Sequence, residues 1–265
     1  LGVKQKELKL PLNDETRQQV RTYLQNVIER YIRQGLAKPA VVTTKPFHAR
    51  LVPSLFGLPL TERSFSTRSG NWFQTIAKIV GTQFHAKAAN QYKVTGEIQN
   101  AALTFIRDWV GQMKAAAPNR AKPNRESDLK RVLSNQFPGG VIKEVISDLF
   151  ILTHDGTELY FEMKTVAPNI DTSELMKTKI LLISALRYQH KARAHASMAY
   201  NPAGDGHPYS DYPDSRYALQ FLELNTDLIV GRPFWTLIGD EQTYDELLQI
   251  SEEVGHATAH LLPKP

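Results

Sequence analysis

Between Asp14 and Gln34 the apolar residues Val20, Leu24, Val27, Ile28 and Tyr31 recur at three- and four-residue intervals, the period of one helix face. Asn13 or Asp14 supplies an N-cap and Gly35 a stop, so the pattern predicts a first helix over this stretch. Pro39 to Leu60 breaks into short apolar pieces between prolines and reads as loops or an edge strand. Helical spacing returns over Ser69 to His85 and over Glu97 to Lys114, the latter anchored by Ile98, Leu103, Ile106 and Val110. Trp72, Phe73, Phe105 and Trp109 are core candidates on these two faces. A short helix over Ser127 to Phe137 ends at Pro138-Gly139-Gly140.

The period then changes. Ile146 to Thr153 and Leu159 to Met163 are continuous apolar runs separated by His154-Asp155-Gly156-Thr157, whose Asp-Gly step is the signature of a tight hairpin. Runs apolar on both faces belong to central strands covered on both sides. A helix over Asp171 to Arg187 follows, capped by Asp171 or Thr172, with Leu175, Ile180, Leu181, Ile183 and Leu186 apolar. Ala196 to Tyr200 reads as a strand, Asn201 to Arg216 as a loop rich in Gly, Pro, Asp and Tyr, Tyr217 to Leu222 and Asp227 to Val230 as strand pieces, and Glu241 to Leu262 as a closing helix. From Ser127 the order helix, hairpin, helix, strand predicts an α/β fold, a central mixed sheet flanked by helices.

The hairpin also carries the chemistry. Side chains two apart on a strand share a face, so Glu162 and Lys164 project together, and folding on the Asp-Gly turn returns Asp148 towards Glu162. A charge buried in such runs needs a partner. Mg²⁺ or Mn²⁺ suits two carboxylates, because hard cations prefer oxygen ligands completed by water and a substrate phosphate. An acid two residues before a lysine also occurs at Glu7-Leu8-Lys9 and Asp128-Leu129-Lys130, which read as solvated pairs. Only the third has an upstream acid at hairpin distance, and its alternative reading is a salt-bridged core hairpin.

Composition narrows the class. The 265 residues, 42% of them hydrophobic, suffice for a large core in one domain. No window approaches about 18 consecutive apolar residues and LGVKQKELKLPLNDE lacks the apolar core of a secretory signal, so a cytoplasmic protein is expected. The absence of cysteine excludes disulfides, thiolate zinc sites and cysteine nucleophiles. A formal charge of +5 favours a polyanionic partner, and the basic runs PNRAKPNRESDLKR from Pro118 and RYQHKARAH from Arg187 are candidates to track phosphates or to be ordinary solvated faces.

Asp148, Glu162 and Lys164 in this element order resemble the PD-(D/E)XK nuclease core, with Ser147-Asp148 in place of Pro-Asp. FEMKTVAPNIDTSELMK from Phe161, AYNPAG from Ala199, GRPFWTLIGDEQTYDELLQISEEVG from Gly231 and SFSTRSGNWFQTIAKIV from Ser64 are similar to the TdeIII-like family of type II restriction endonucleases. The resemblance implies a single nuclease domain over 1–265, with a mainly helical region over 1–126, the core over 127–230 and a helical region over 231–265. It further implies a homodimer that cuts double-stranded DNA with Mg²⁺ to leave 5′-phosphates, and a cognate methyltransferase protecting host DNA. Carried over, Asp148 and Glu162 hold the metal, the Met163 carbonyl is a further ligand, and Lys164 positions and activates water. A structure-specific nuclease for branched DNA and a catalytically inactive DNA-binding protein are the alternatives.

Secondary residues complete the expectation. Glu144 shares a face with Asp148 by strand parity, as an auxiliary acid or as the partner of Lys143 or another cation. Glu97, at the start of a predicted helix, is a remote carboxylate or a helix-dipole partner. Arg187, Lys191 and Arg193 are the expected DNA contacts, with Tyr209 and Arg216 behind them, and Lys45 to Arg50 and Arg63 to Arg68 supply further base-reading side-chain types.

Overall fold

The computed structural model describes residues 11–34, 47, 62–116, 122–165 and 168–261, with backbone only over 62–69. The expected loops of Pro39 to Leu60, the Gly35 stop and Lys45 to Arg50 fall outside the described residues, apart from the buried Phe47, as do the side chains of Arg63 to Arg68.

A five-stranded sheet forms the middle layer in the order β1 (Lys87–Ile98), β2 (Val141–Leu152), β3 (Glu158–Lys164), β4 (Ala192–Met198) and β5 (Leu228–Val230). β1, β2 and β3 pair antiparallel, whereas β3, β4 and β5 are parallel, so the sheet is mixed as expected. Leu149, Ile151, Leu159 and Phe161 face one apolar cluster with α1 (Asp14–Arg33), α2 (Glu62–Phe84), α7 (Arg232–Ile238) and α8 (Thr243–Thr258). Phe150 and Tyr160 face a second with α3 (Asn100–Ala115), α4 (Arg125–Leu133), α5 (Ile170–Leu186) and α6 (Ser215–Phe221). Both faces of β3 and of residues 147–152 of β2 are therefore covered, which is why these stretches read as unbroken apolar runs, whereas residues 141–146 of β2 are largely exposed.

Local chemistry explains most boundaries. The Asn13 side chain caps α1 by accepting from the Thr16 N–H at 2.8 Å. α5 is capped by Asn169, which accepts from the Thr172 N–H, rather than by Asp171 or Thr172, both of which lie within its first turn. Glu97 does not open a helix: it ends β1, where its carboxylate accepts from the Gly139 N–H at 2.8 Å, and α3 starts three residues later. The expected strand over Tyr217 to Leu222 is the helix α6, because Ala218, Phe221 and Leu222 share one helical face buried against α5. Short apolar runs do not separate the two states by pattern.

β1 itself was not expected, since KAANQYKVTGEI carries few apolar side chains. Its inner residues Tyr92, Val94 and Ile98 pack over α5, and Gly96 approaches so closely that an added Cβ would lie 2.6 Å from the Leu186 carbonyl oxygen.

The second layer conceals an ionic network. Lys177 of α5 is fully buried with its Nζ 2.7 Å from an oxygen of Asp128 and 2.7 Å from one of Asp227. Trp109 Nε1 donates to Asp128, and Arg125 Nη1 donates to Asp227 at 2.8 Å. Asp128 is therefore not the solvated partner of Lys130 that its spacing suggested, but one acid of a buried Asp-Lys-Asp-Arg chain tying α4, α5 and the entry to β5 together.

On β4, His195 stacks on Phe161 and its Nδ1 lies 2.7 Å from the Thr226 carbonyl oxygen. Burial, reinforced by the Arg125 charge, pulls its pKa down from 6.5 to about 4. The unfolded chain takes up this proton first, so the stability contributed above pH 6.5 is lost as pH falls towards 4. His195→Gln is expected to reduce that acid loss by roughly 3 kcal/mol in urea titrations at the two ends of the window. An unchanged pH slope would rule out His195 as its source.

Candidate active site

The β2–β3 ladder pairs Leu152 with Glu158 through Leu149 with Phe161 and then opens. Ser147 takes over at the fork: its single hydroxyl hydrogen is shared between the Leu149 and Phe161 carbonyl oxygens, and its oxygen accepts from the Phe161 N–H. One step beyond the last pair, Asp148 and Glu162 stand opposite each other across the opening. Asp148 Oδ2 accepts from the Met163 N–H at 2.9 Å. Because the N–H and C=O of a strand residue point to the same neighbour, the Met163 carbonyl also faces the Asp148 side.

A change of phase on both β1 and β2 aims Asp148 at this point. On β2, Val145 and Phe150 reach the same apolar layer although they are five residues apart, and on β1 Ala89 and Tyr92 do so three apart. The register between the strands does not slip, and the unpaired step within it is Gln91 against Asp148. Gln91 has φ +50°, an uncommon conformation for a side chain other than glycine, and its Nε2 donates to Asp148 Oδ1 at 3.2 Å and contacts Gln74 of α2.

Glu162 is buried and each of its oxygens is held by a different lysine: Oε1 by Lys164 at 2.9 Å and Oε2 by Lys179 of α5 at 2.6 Å. Lys179 also donates to the Ile146 carbonyl oxygen at 3.2 Å. Both lysines stay partly exposed, so the ammonium groups line the solvent side of a buried carboxylate. Burial, and next the negative charge of Glu162, push the Asp148 carboxyl above its ordinary range. Two facing acids, one disfavoured as an anion, make an oxygen-rich site that a divalent cation relieves. Among the described residues no group of three or more Asp, Glu, His or Cys side chains converges. The donor set is two carboxylates and one main-chain carbonyl, which fits Mg²⁺ or Mn²⁺ with waters and a substrate oxygen filling the remaining positions.

Asp148, Glu162, Lys164 and Met163 thus come together, and the other expected residues do not join them. Glu144 lies on the exposed outer face of the β1–β2 ribbon, paired with Lys93 at 3.2 Å, the cation-partner reading of this acid. Arg187 is locked to Glu158 through two hydrogen bonds at 2.8 and 2.5 Å, and Lys191 is paired with Asp155. Arg193 is exposed beside Leu159. All three sit at the hairpin-turn end of β3, whereas Glu162 and Lys164 are at its other end. This run and the acids thus lie at opposite ends of β3, and two of the run's three cations are already engaged. Tyr209 is a core residue and Arg216 lies over the Tyr217 ring. The segment that does emerge beside Lys164 is the one after β4, since Lys164 pairs in register with Met198.

Two side chains at the site carried no motif. Lys179 is one of two lysines in the apolar run MKTKILL, a mild anomaly for a covered helix, and its pairing with Glu162 depends on how α5 crosses the sheet. Gln91 gave no signal at all. No helix among the described residues is long and apolar enough to cross a membrane.

The chain as a whole is similar to known proteins. The family model described as "Type II restriction endonuclease, HinfI" matches residues 12–255. The type II restriction enzyme HgiEI of Herpetosiphon aurantiacus is 29% identical over 269 residues, covering 94% of this chain and 96% of that protein. The type II restriction enzymes HgiCII and HgiBI from the same organism are 29% and 28% identical, each covering 96% of its own length.

Proposed function

Because the chain belongs to the HinfI family of type II restriction endonucleases, and DNA is therefore its substrate, we propose that it hydrolyses one phosphodiester in each strand of a specific duplex site through Asp148, Glu162 and Lys164. The observation that carries this reading is the opening of the β2–β3 ladder, which sets two carboxylates and a lysine around one point open to solvent. Asp148, Glu162 and the Met163 carbonyl would hold Mg²⁺, with Mn²⁺ able to substitute. When bound, the ion supplies Lewis acidity to the scissile phosphate and lowers the pKa of water.

The protein groups do the rest. Lys164, two residues from Glu162 on the same face, positions a water for in-line attack and stabilises its developing hydroxide. The water oxygen forms the new P–O bond, the bond to the 3′-oxygen breaks, and that oxygen takes a proton, leaving a 5′-phosphate and a 3′-hydroxyl. Gln91 and the Met163 N–H fix the orientation of Asp148. Residues after Met198 emerge beside Lys164, which favours the loop between Tyr200 and Ser215 for contacts near the scissile phosphate. A homodimer on a two-fold symmetric site accounts for cutting both strands. Action in the cytoplasm beside a cognate methyltransferase completes the proposed restriction system.

Digestion of a long unmethylated duplex with and without Mg²⁺, followed by sequencing of fragment ends, tests the reading. Discrete fragments with one shared end motif and 5′-phosphates are expected only with the ion. Cutting confined to branched DNA would replace this reading with a structure-specific nuclease, and binding without any cutting would leave a DNA-binding protein.

A further inference from the structure

We infer that Lys179 is a second active-site cation with a duty distinct from that of Lys164: it holds Glu162 in the free protein and contacts a non-bridging oxygen of the scissile phosphate when DNA is bound. The inference rests on the nuclease reading above and adds to it a residue from outside the hairpin.

The geometry separates the two lysines. Lys164 is two residues from Glu162 on β3 and bonds Oε1, whereas Lys179 reaches Oε2 from α5, across the layer. Lys179 keeps a second, main-chain anchor on the Ile146 carbonyl oxygen, two residues before Asp148, so its ammonium group stays at the mouth of the site even if Glu162 turns away. An ammonium group has three donors, and these two bonds leave one over. With two acids and two lysines the site is formally neutral before anything binds. A cation that takes up a Glu162 oxygen competes with the ammonium group already bonded there, because the two positive charges repel. The Lys179 donor freed in this way lies beside the position where the phosphodiester must sit, and the phosphate oxygen replaces the carboxylate as its acceptor. A lysine that served only to neutralise a buried acid would need neither partial exposure nor the Ile146 anchor.

Lys179→Met keeps length and removes charge. Two readouts on the full chain separate duty from support: calorimetric titration of the DNA-free protein with Mn²⁺, and single-turnover cleavage of a duplex carrying the site identified by end sequencing. Loss of a competing cation should tighten Mn²⁺ binding roughly tenfold, while loss of a phosphate contact should slow cleavage about 100-fold. A merely structural lysine would lower the unfolding midpoint and leave Mn²⁺ affinity unchanged or weakened. Unchanged or weakened Mn²⁺ binding, or cleavage within about threefold of the parent, overturns the inference. Should the methionine variant fail to fold, Lys179→Gln, which retains a donor for Ile146, is read by the same two criteria. A parent protein that cuts no duplex at all would instead overturn the nuclease reading, so the two failures are distinct.

Discussion

Lys177→Met is expected to destabilise the fold by about 3 to 5 kcal/mol, more than any other single side-chain change proposed for this chain. Methionine nearly conserves the volume of the aliphatic stem, so the loss is that of charge. What remains are two carboxylates, Asp128 and Asp227, at 1% and 0% exposure, that previously shared one ammonium group. Arg125 still reaches Asp227 and Trp109 still donates to Asp128, but neither neutralises Asp128. Leaving a buried anion uncompensated is far more costly than a buried ion pair is worth, because the removed partner had repaid the desolvation of both charges. Urea unfolding at pH 7 measures the effect. A loss under about 1 kcal/mol would mean that the network adds little beyond its packing. The same logic predicts that a double replacement by apolar residues of matching shape is milder than the single one.

What was legible in the sequence follows from how far apart the interacting residues are. Asp148 and Glu162 face each other because the turn at Asp155-Gly156 is tight and the strands on either side are apolar, all of it information within one hairpin. Lys164 follows from strand alternation. The N-cap of α1 and the order from α4 to β4 were similarly local. The failures are long-range or degenerate. β1 buries its inner face with Tyr92, Val94 and Ile98 and exposes a polar outer face, so its few apolar side chains give no clear strand signal without the partner β2. The acids that pair with Arg187 and Lys191, Glu158 and Asp155, lie far upstream, beyond the reach of charge counting. Asp128 read as a solvated helix charge for the same reason, its partner Lys177 lying far downstream. Lys179 needed the packing of α5 over β3 to bring it to Glu162. The geometry of the hairpin was thus readable, whereas side chains delivered to it from other layers were not.

Asp148→Asn should separate function from stability in opposite directions. Cleavage is expected to fall by at least about 10³-fold, since the amide retains the shape and can still accept from the Met163 N–H but no longer supplies the second anionic oxygen of the proposed metal site. Metal-free stability at pH 7, by contrast, should rise by about 1 kcal/mol. The sign follows from linkage. Burial, and after it the Glu162 charge, raise the Asp148 pKa above its value of 3.8 in the unfolded chain, so the folded state binds this proton more tightly. The resulting stability is fully present below pH 3.8 and is lost as pH rises through the raised value. Ionised Asp148 is therefore a burden on the metal-free fold at neutral pH, one the asparagine does not carry. Lys164→Ala provides the companion measurement: it should abolish cutting while largely preserving folding, because this lysine is partly exposed and Glu162 keeps Lys179. Retained cutting by either variant would remove these residues from the catalytic centre. A less stable Asp148→Asn protein would show that the carboxylate is held for its hydrogen bonds to Gln91 and Met163 rather than for the charge it presents to a bound ion.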